Sequence, residues 1–193
     1  ITDWRKCWKN PDMPFYFVQL ANYLQPSDLQ PESQWALLRE SQADALCLPH
    51  TGMVSNIDLG DAKDIHPKTK REVGRRMAAI ALNQTYGKHK TAFTAPVYER
   101  YTVEADGIHI HFATPQGSEP LVIEDNLPGF ILAGANRQWH VAKAKVLSGN
   151  EVVVSCEGIH FPVAVRYGWA DNPTCTLRTQ SGLHVAPFRT DRW

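Results

Sequence analysis

The sequence predicts an α/β unit over residues 1–90 followed by an all-β unit, a small sandwich, over residues 91–193. Three observations predict it. In the first unit, two apolar runs alternate with two helical periodicities, the order that builds a layer of parallel strands with helices on it. Beyond residue 90 no helical pattern of ten residues recurs. An Asp106-Gly107 turn between alternating apolar residues then opens a series of short strands separated by Gly, Asn and Pro.

Taken in order, "PFYFVQLANY" (14–23) is a continuous apolar run ending in polar residues, as expected of a strand buried on both faces. Ser33 is placed to cap the helix "QWALLRESQADALCL", in which Trp35, Leu38, Gln42, Ala45 and Leu46 share a face. "TGMVSNIDLG" (51–60) reads as a second buried strand. Pro67, at a first helical position, starts a helix through about Asn83, with Val73, Met77, Ile80 and Ala81 as its apolar face. The boundary falls near residues 87–97. "YERYTVEADGIHIHFAT" is then a hairpin, and "GFILAG", "WHVAKAKVLSGNEVVVSC" and "FPVAVRYGWA" supply further strands, six to eight in all.

Composition excludes several function classes. Hydrophobic residues make up 43% and charged residues 21%, and no apolar run approaches the roughly 20 residues of a membrane helix, so no membrane span is expected. Twenty basic residues balance twenty acidic ones, leaving no global field to attract a polyanion. The densest basic run, Lys68, Lys70, Arg71, Arg75 and Arg76, has helical spacing and reads as a solvated face, so no nucleic-acid partner is expected. The four cysteines form no CxxC pair. Cys156 and Cys175 could pair, or stay as free buried thiols. The chain begins "ITDWRKCWKN", without initiator Met or signal-peptide apolar region, and reads as a piece of a longer polypeptide.

"DLGDAKDIHP" carries the chemistry. In open α/β folds ligands bind beyond the carboxyl ends of the strands, in the loops leading to the next helix. His66 in such a loop, at a helix start, is a candidate general base, because the dipole favours the neutral imidazole that accepts a proton. A carboxylate at one ring nitrogen would orient the ring and stabilise the cation that forms. Asp64 is nearest in sequence, with Asp61 and Asp58 as alternatives. The competing reading is a helix-capping Asp beside a surface His. Gln19 and Asn22, at the end of the first strand, are candidate substrate-binding residues or strand-end polar caps. His109 and His111 point to one sheet face and form either a metal pair or an exposed polar face. Trp139, Tyr167 and Trp169 form either a sugar platform or core aromatics.

The blocks "DWRKCW", "PFYFVQLANY", "LRESQ", "GMVSNIDLGDAKDIHPKTKREVGRRMA" and "VRYGWADNP...GLHVAPFRTDRW" together resemble the C-terminal part of the sialate O-acetylesterases, sialic-acid-specific 9-O-acetylesterases of the SGNH-hydrolase superfamily. The resemblance implies the C-terminal part of an SGNH-like α/β/α hydrolase domain followed by a β-sandwich. It implies a serine esterase that removes acetyl groups from carbohydrate hydroxyls without a cofactor, in a secreted or periplasmic setting. The His of "DIHP" is then the catalytic base, His66. The common pattern has Asp three residues before the His; Lys63 stands there, which leaves Asp64 as the orienting candidate. The nucleophile of such enzymes lies in an N-terminal Gly-Gln-Ser-Asn type block with Gly and Asn oxyanion donors, and residues 1–193 contain none of these. No serine here lies in a Gly-x-Ser turn. The implied partners are an acetylated carbohydrate and a missing N-terminal segment or companion chain carrying the Ser. The rival reading is a non-catalytic carbohydrate-binding or structural β module.

Overall fold

The structure, a computed structural model, describes residues 1–88 and 91–193. The expected unit boundary at 90/91 touches His89 and Lys90, which lie outside the described residues. The content is mostly β-sheet with little helix.

A short helix α1 (Thr2–Cys7) leads into β1 (Phe15–Val18), α2 (Gln34–Asp44) with a 3₁₀ turn (Ala45–Cys47), β2 (Thr51–Val54) and α3 (Lys70–Gln84). β1 and β2 pair in parallel, Phe15 opposite Thr51 and Val18 opposite Val54, as the strand-helix-strand order requires. Both strands are shorter than their apolar runs, and the residues of β1 are half-buried rather than buried on both faces. The ladder ends where side chains take over the backbone groups: the Leu20 N–H donates to Gln42 Oε1 at 2.9 Å, and Arg39 Nε donates to the Leu20 carbonyl at 2.9 Å. α3 rests on β2 at Gly52, where a Cβ would stand 2.7 Å from the Ile80 side chain, so only glycine permits this approach.

The expected helix faces are corrected. Ser33 caps α2 as expected, its Oγ accepting from the Ala36 N–H at 3.0 Å. The buried residues of α2 are Ala36 and Arg39, whereas Leu38 and Leu46 are exposed. α3 begins at Lys70 rather than Pro67, and it buries Arg76, Ala79, Ile80 and Asn83. Arg76 is therefore no part of a solvated basic face.

Eight strands follow: β3 (Val97–Glu104), β4 (Gly107–Ala113), β5 (Phe130–Gly134), β6 (Trp139–Val141), β7 (Lys143–Ser148), β8 (Glu151–Ser155), β9 (Pro162–Tyr167) and β10 (Phe188–Arg189). They form two four-stranded antiparallel sheets, β3-β4-β8-β7 and β10-β9-β5-β6. Ile108, Ile110, Phe112, Val152 and Val154 of the first share one core with Phe130, Leu132, Val165 and Tyr167 of the second. The β3–β4 turn residues are Ala105 and Asp106, one position earlier than the Asp-Gly pair suggests, because Gly107 already pairs with Glu104.

The two halves are joined by buried polar clamps. Arg39, fully buried, donates to the carbonyls of Leu20, Ala21, Ala170 and Asp171 at 2.7–2.9 Å. Ser33 and Gln30 donate to the Asp171 carboxylate, and Arg189 makes two hydrogen bonds with Glu40. Burial lowers the Arg39 guanidinium to about 10, which leaves it charged at neutral pH. All four cysteines are free: Cys175 is buried, Cys156 half-buried, and Cys7 and Cys47 exposed. Among the described residues no helix is long and apolar enough to cross a membrane.

Candidate functional site

The loop from Ser55 to Thr69 leaves the carboxyl end of β2 and is pinned along its length. Ile57, 1% exposed, inserts into the core shared by the two larger sheets. Asn22, after β1, accepts the Gly60 N–H on Oδ1 at 2.7 Å and donates to Asn172 Oδ1. A Cβ on Gly60 would meet the Asn22 carbonyl oxygen at 1.7 Å, so glycine is required there. Tyr23 and Asp61 extend the parallel pairing as an isolated bridge.

The three aspartates have separate tasks. Asp58 binds Arg76 through both oxygens, Oδ1 to Nη1 at 2.7 Å and Oδ2 to Nη2 at 2.6 Å. Arg76, 5% exposed, also donates to Glu72 and to the Ser55 carbonyl. This network fixes the start of the loop to α3. Asp61 Oδ1 accepts the Lys63 N–H at 2.9 Å, and its Oδ2 lies 3.2 Å from Lys68 Nζ. Asp64 Oδ1 accepts the His66 N–H at 2.9 Å and lies 3.2 Å from His66 Nδ1. The Asp64 carboxyl is held below the usual carboxylate range, first by the His66 backbone N–H and then by the ring.

Asp61 and Asp64 thus form successive Asx turns, each side chain bonding the backbone two residues on. The second turn brings Asp64 under the ring of His66. His66 is exposed, its side chain 81% accessible. With Nδ1 donating to the carboxylate, Nε2 carries the lone pair and faces outward. His66 stands four residues ahead of the first residue of α3, so the helix dipole, effective within the first turn, acts on Thr69 to Glu72 instead.

Gln19 is 1% exposed, with Nε2 donating to the Arg39 carbonyl at 3.0 Å and a buried Oε1 that has no partner. Asn22 is committed through both of its amide atoms, Oδ1 to Gly60 of the loop and Nδ2 to Asn172. A metal held between His109 and His111 is not supported. His109 is buried, its Nδ1 2.8 Å from Glu151 and its Nε2 2.9 Å from Asp106, while His111 Nε2 pairs with Thr102 Oγ1. Of the three aromatics, Tyr167 and Trp169 are core residues, as the core reading expects, 0% and 4% exposed, and half-buried Trp139 stacks on Arg166 at 4.3 Å.

Sequence reasoning missed the Asp58–Arg76–Glu72 network and the Arg39 clamp. Arg76 had a readable signal: it lies three residues after Val73 and four before Ile80, on the apolar side of the helix. Arg39 had none, because its partners are backbone carbonyls up to 132 residues away.

No family model matches the chain. It is 26% identical to the sialate O-acetylesterase of Mus musculus over an alignment of 213 residues, covering 97% of this chain and 39% of the mouse protein. It superposes along its whole length on a solved carbohydrate acetylesterase from Xanthomonas citri, with a TM-score of 0.88 and 38% identity, covering 44% of that chain. The chain is thus similar, distantly but consistently, to carbohydrate and sialate O-acetylesterases and has a carbohydrate-esterase-like fold. It spans less than half the length of either relative.

Proposed function

We propose that this chain is the C-terminal part of a serine O-acetylesterase acting on sialic acid or a related acetylated carbohydrate, with His66 as general base and Asp64 as its orienting carboxylate. The observation that carries the reading is the grip of one Asp64 oxygen on both the backbone N–H and Nδ1 of His66, which leaves Nε2 turned to solvent. The similarity to a carbohydrate acetylesterase along the whole chain supports it. In this reading residues 1–90 complete an SGNH-like α/β/α hydrolase domain and residues 91–193 are its β-sandwich companion, in a secreted or periplasmic enzyme.

The nucleophilic serine comes from a segment outside these 193 residues, on the same polypeptide or a companion chain. His66 Nε2 takes the serine proton as Oγ attacks the acetyl carbonyl, then returns it to the departing sugar oxygen. In the second half-reaction it activates the water that hydrolyses the acetyl-enzyme. Asp64 stabilises the imidazolium in both halves without accepting the proton. Asn22 supports the site through Gly60, and buried Gln19 ties the end of β1 to α2 through the Arg39 carbonyl.

Acyl transfer needs both nucleophile and base, so the 193-residue chain alone is expected to hydrolyse 4-nitrophenyl acetate no faster than free imidazole, and a longer polypeptide or complex supplying the serine to turn over acetylated sialic acid. Serine-dependent hydrolysis by the chain alone, abolished by a fluorophosphonate, would place the nucleophile among these residues and overturn the proposal.

A further inference from the structure

The β3–β4 hairpin carries a second cluster of titratable groups, apart from the His66 loop. His109 on β4 lies opposite Thr102 of β3 and Val153 of β8. Three carboxylates reach it from its neighbours: Glu151 Oε1 at 2.8 Å from Nδ1, Asp106 Oδ1 at 2.9 Å from Nε2, and Glu104 Oε2 at 3.8 Å from Nε2. His109 is 6% exposed. A neutral imidazole has one N–H. When Nδ1 gives it to Glu151, the buried Nε2 lone pair meets two carboxylate oxygens, an arrangement that calls for a positive charge between them, a proton or a metal ion.

A cation placed among these three atoms satisfies all of them. Ligands of a tetrahedral zinc-type ion at 2.0–2.1 Å stand about 3.3 Å from one another. The two separations from Nε2, 2.9 and 3.8 Å, bracket that spacing, and all three ligand atoms lie within 4.8 Å of one another. Glu151 on the other nitrogen has the place of the carboxylate that fixes the tautomer and raises the basicity of a metal-bound histidine. Of the other charged groups, Lys145 faces the cluster from β7, so three carboxylates oppose one ammonium. Glu104 and Asp106 also open on a cavity of about 330 Å³, lined further by Cys156, Glu157 and His160, which gives an ion an entry route and room for a water ligand.

We propose that Glu104, Asp106 and His109 form a binding site for a divalent transition-metal ion of the zinc type, its remaining position taken by water from the cavity. The donor set, one imidazole and two carboxylates, suits such an ion. An ion there would tie the end of β3 and the β3–β4 turn to β4, and through the His109–Glu151 hydrogen bond to β8, and stabilise the folded state by mass action.

The test is titration of the chelator-treated 193-residue chain with Zn²⁺ by calorimetry, and with Co²⁺ by visible absorption. One equivalent should bind, thermal unfolding should move upward, and the Co²⁺ spectrum should show d–d bands without thiolate charge transfer. His109→Gln and Asp106→Asn should each weaken binding at least tenfold, and Glu151→Gln about 10–100-fold. Asp106 is an exposed turn residue, so that variant keeps the test valid if His109→Gln fails to fold. Binding unchanged in Asp106→Asn, a thiolate band, or no saturable binding at about 100 µM Zn²⁺ would overturn the proposal; the last two outcomes leave the His66 reading untouched.

Discussion

Three aspartates within seven residues differ in what they touch, and this decides what each substitution does. Asp58 is committed to buried Arg76, and breaking such a pair from one side costs roughly 3–5 kcal/mol. Asp58→Asn should therefore lower the urea midpoint markedly. Asp61→Asn and Asp64→Asn, at more exposed positions, should leave the midpoint nearly unchanged. In the esterase assembled with its serine-bearing segment, Asp64→Asn should lower kcat roughly a hundredfold or more, because the imidazolium loses its counter-charge. Asp61→Asn should cost less. A larger loss in Asp61→Asn with the fold intact would transfer the orienting role to Asp61. The pairing of Asp64 with His66 was legible because it is local, an Asx turn two residues long. The commitment of Asp58 was not, since its partner lies 18 residues on, on a helix whose orientation only packing decides.

Among the elements, local chemistry was readable and orientation was not. The Ser33 cap, the parallel order of β1 and β2, and the β3–β4 hairpin follow from residues adjacent in sequence. The face of α2 does not, because it is set by Arg39 reaching four carbonyls and by Ala36 packing on Ile131 and Trp169 across the chain. α3 starts three residues after Pro67, and the Lys70 N–H at its start donates to the Lys68 carbonyl at 2.9 Å. Its first turn carries a titratable latch: Glu72, bonded first to Arg75 and then to Arg76, is lowered from 4.5 to about 2. A depressed carboxyl stabilises the fold above its unfolded value and loses that contribution as pH falls toward its folded value. The stability difference between the wild type and Glu72→Gln should thus be full above about pH 4.5 and vanish near pH 2, read from urea midpoints across that range. A difference that grows on acidification would contradict the pairing.

Across the whole molecule, the terminal block "VRYGWADNP...GLHVAPFRTDRW" that carried part of the resemblance is clamp rather than site. Arg166 lies between Trp139 and Trp169 and pairs with buried Asp191, while Ala170, Asp171 and Asn172 receive Arg39, Ser33, Gln30 and Asn22. The loop bearing His66 is tied into this assembly through Asn22 and Ile57. Arg39→Ala would strand the Leu20 and Ala170 carbonyls at roughly 1–3 kcal/mol per unsatisfied group, while the Ala21 and Asp171 carbonyls keep the Trp35 indole N–H and the Tyr23 N–H. It should lower the unfolding midpoint more than Asp61→Asn or Asp64→Asn; a midpoint within error of the wild type would show that the clamp is dispensable. The role of His66 as base is read from kcat of His66→Ala in the assembled esterase on an O-acetylated sialic acid. The account predicts a fall of about three orders of magnitude or more with KM little changed; a variant that keeps a tenth of wild-type turnover would contradict it.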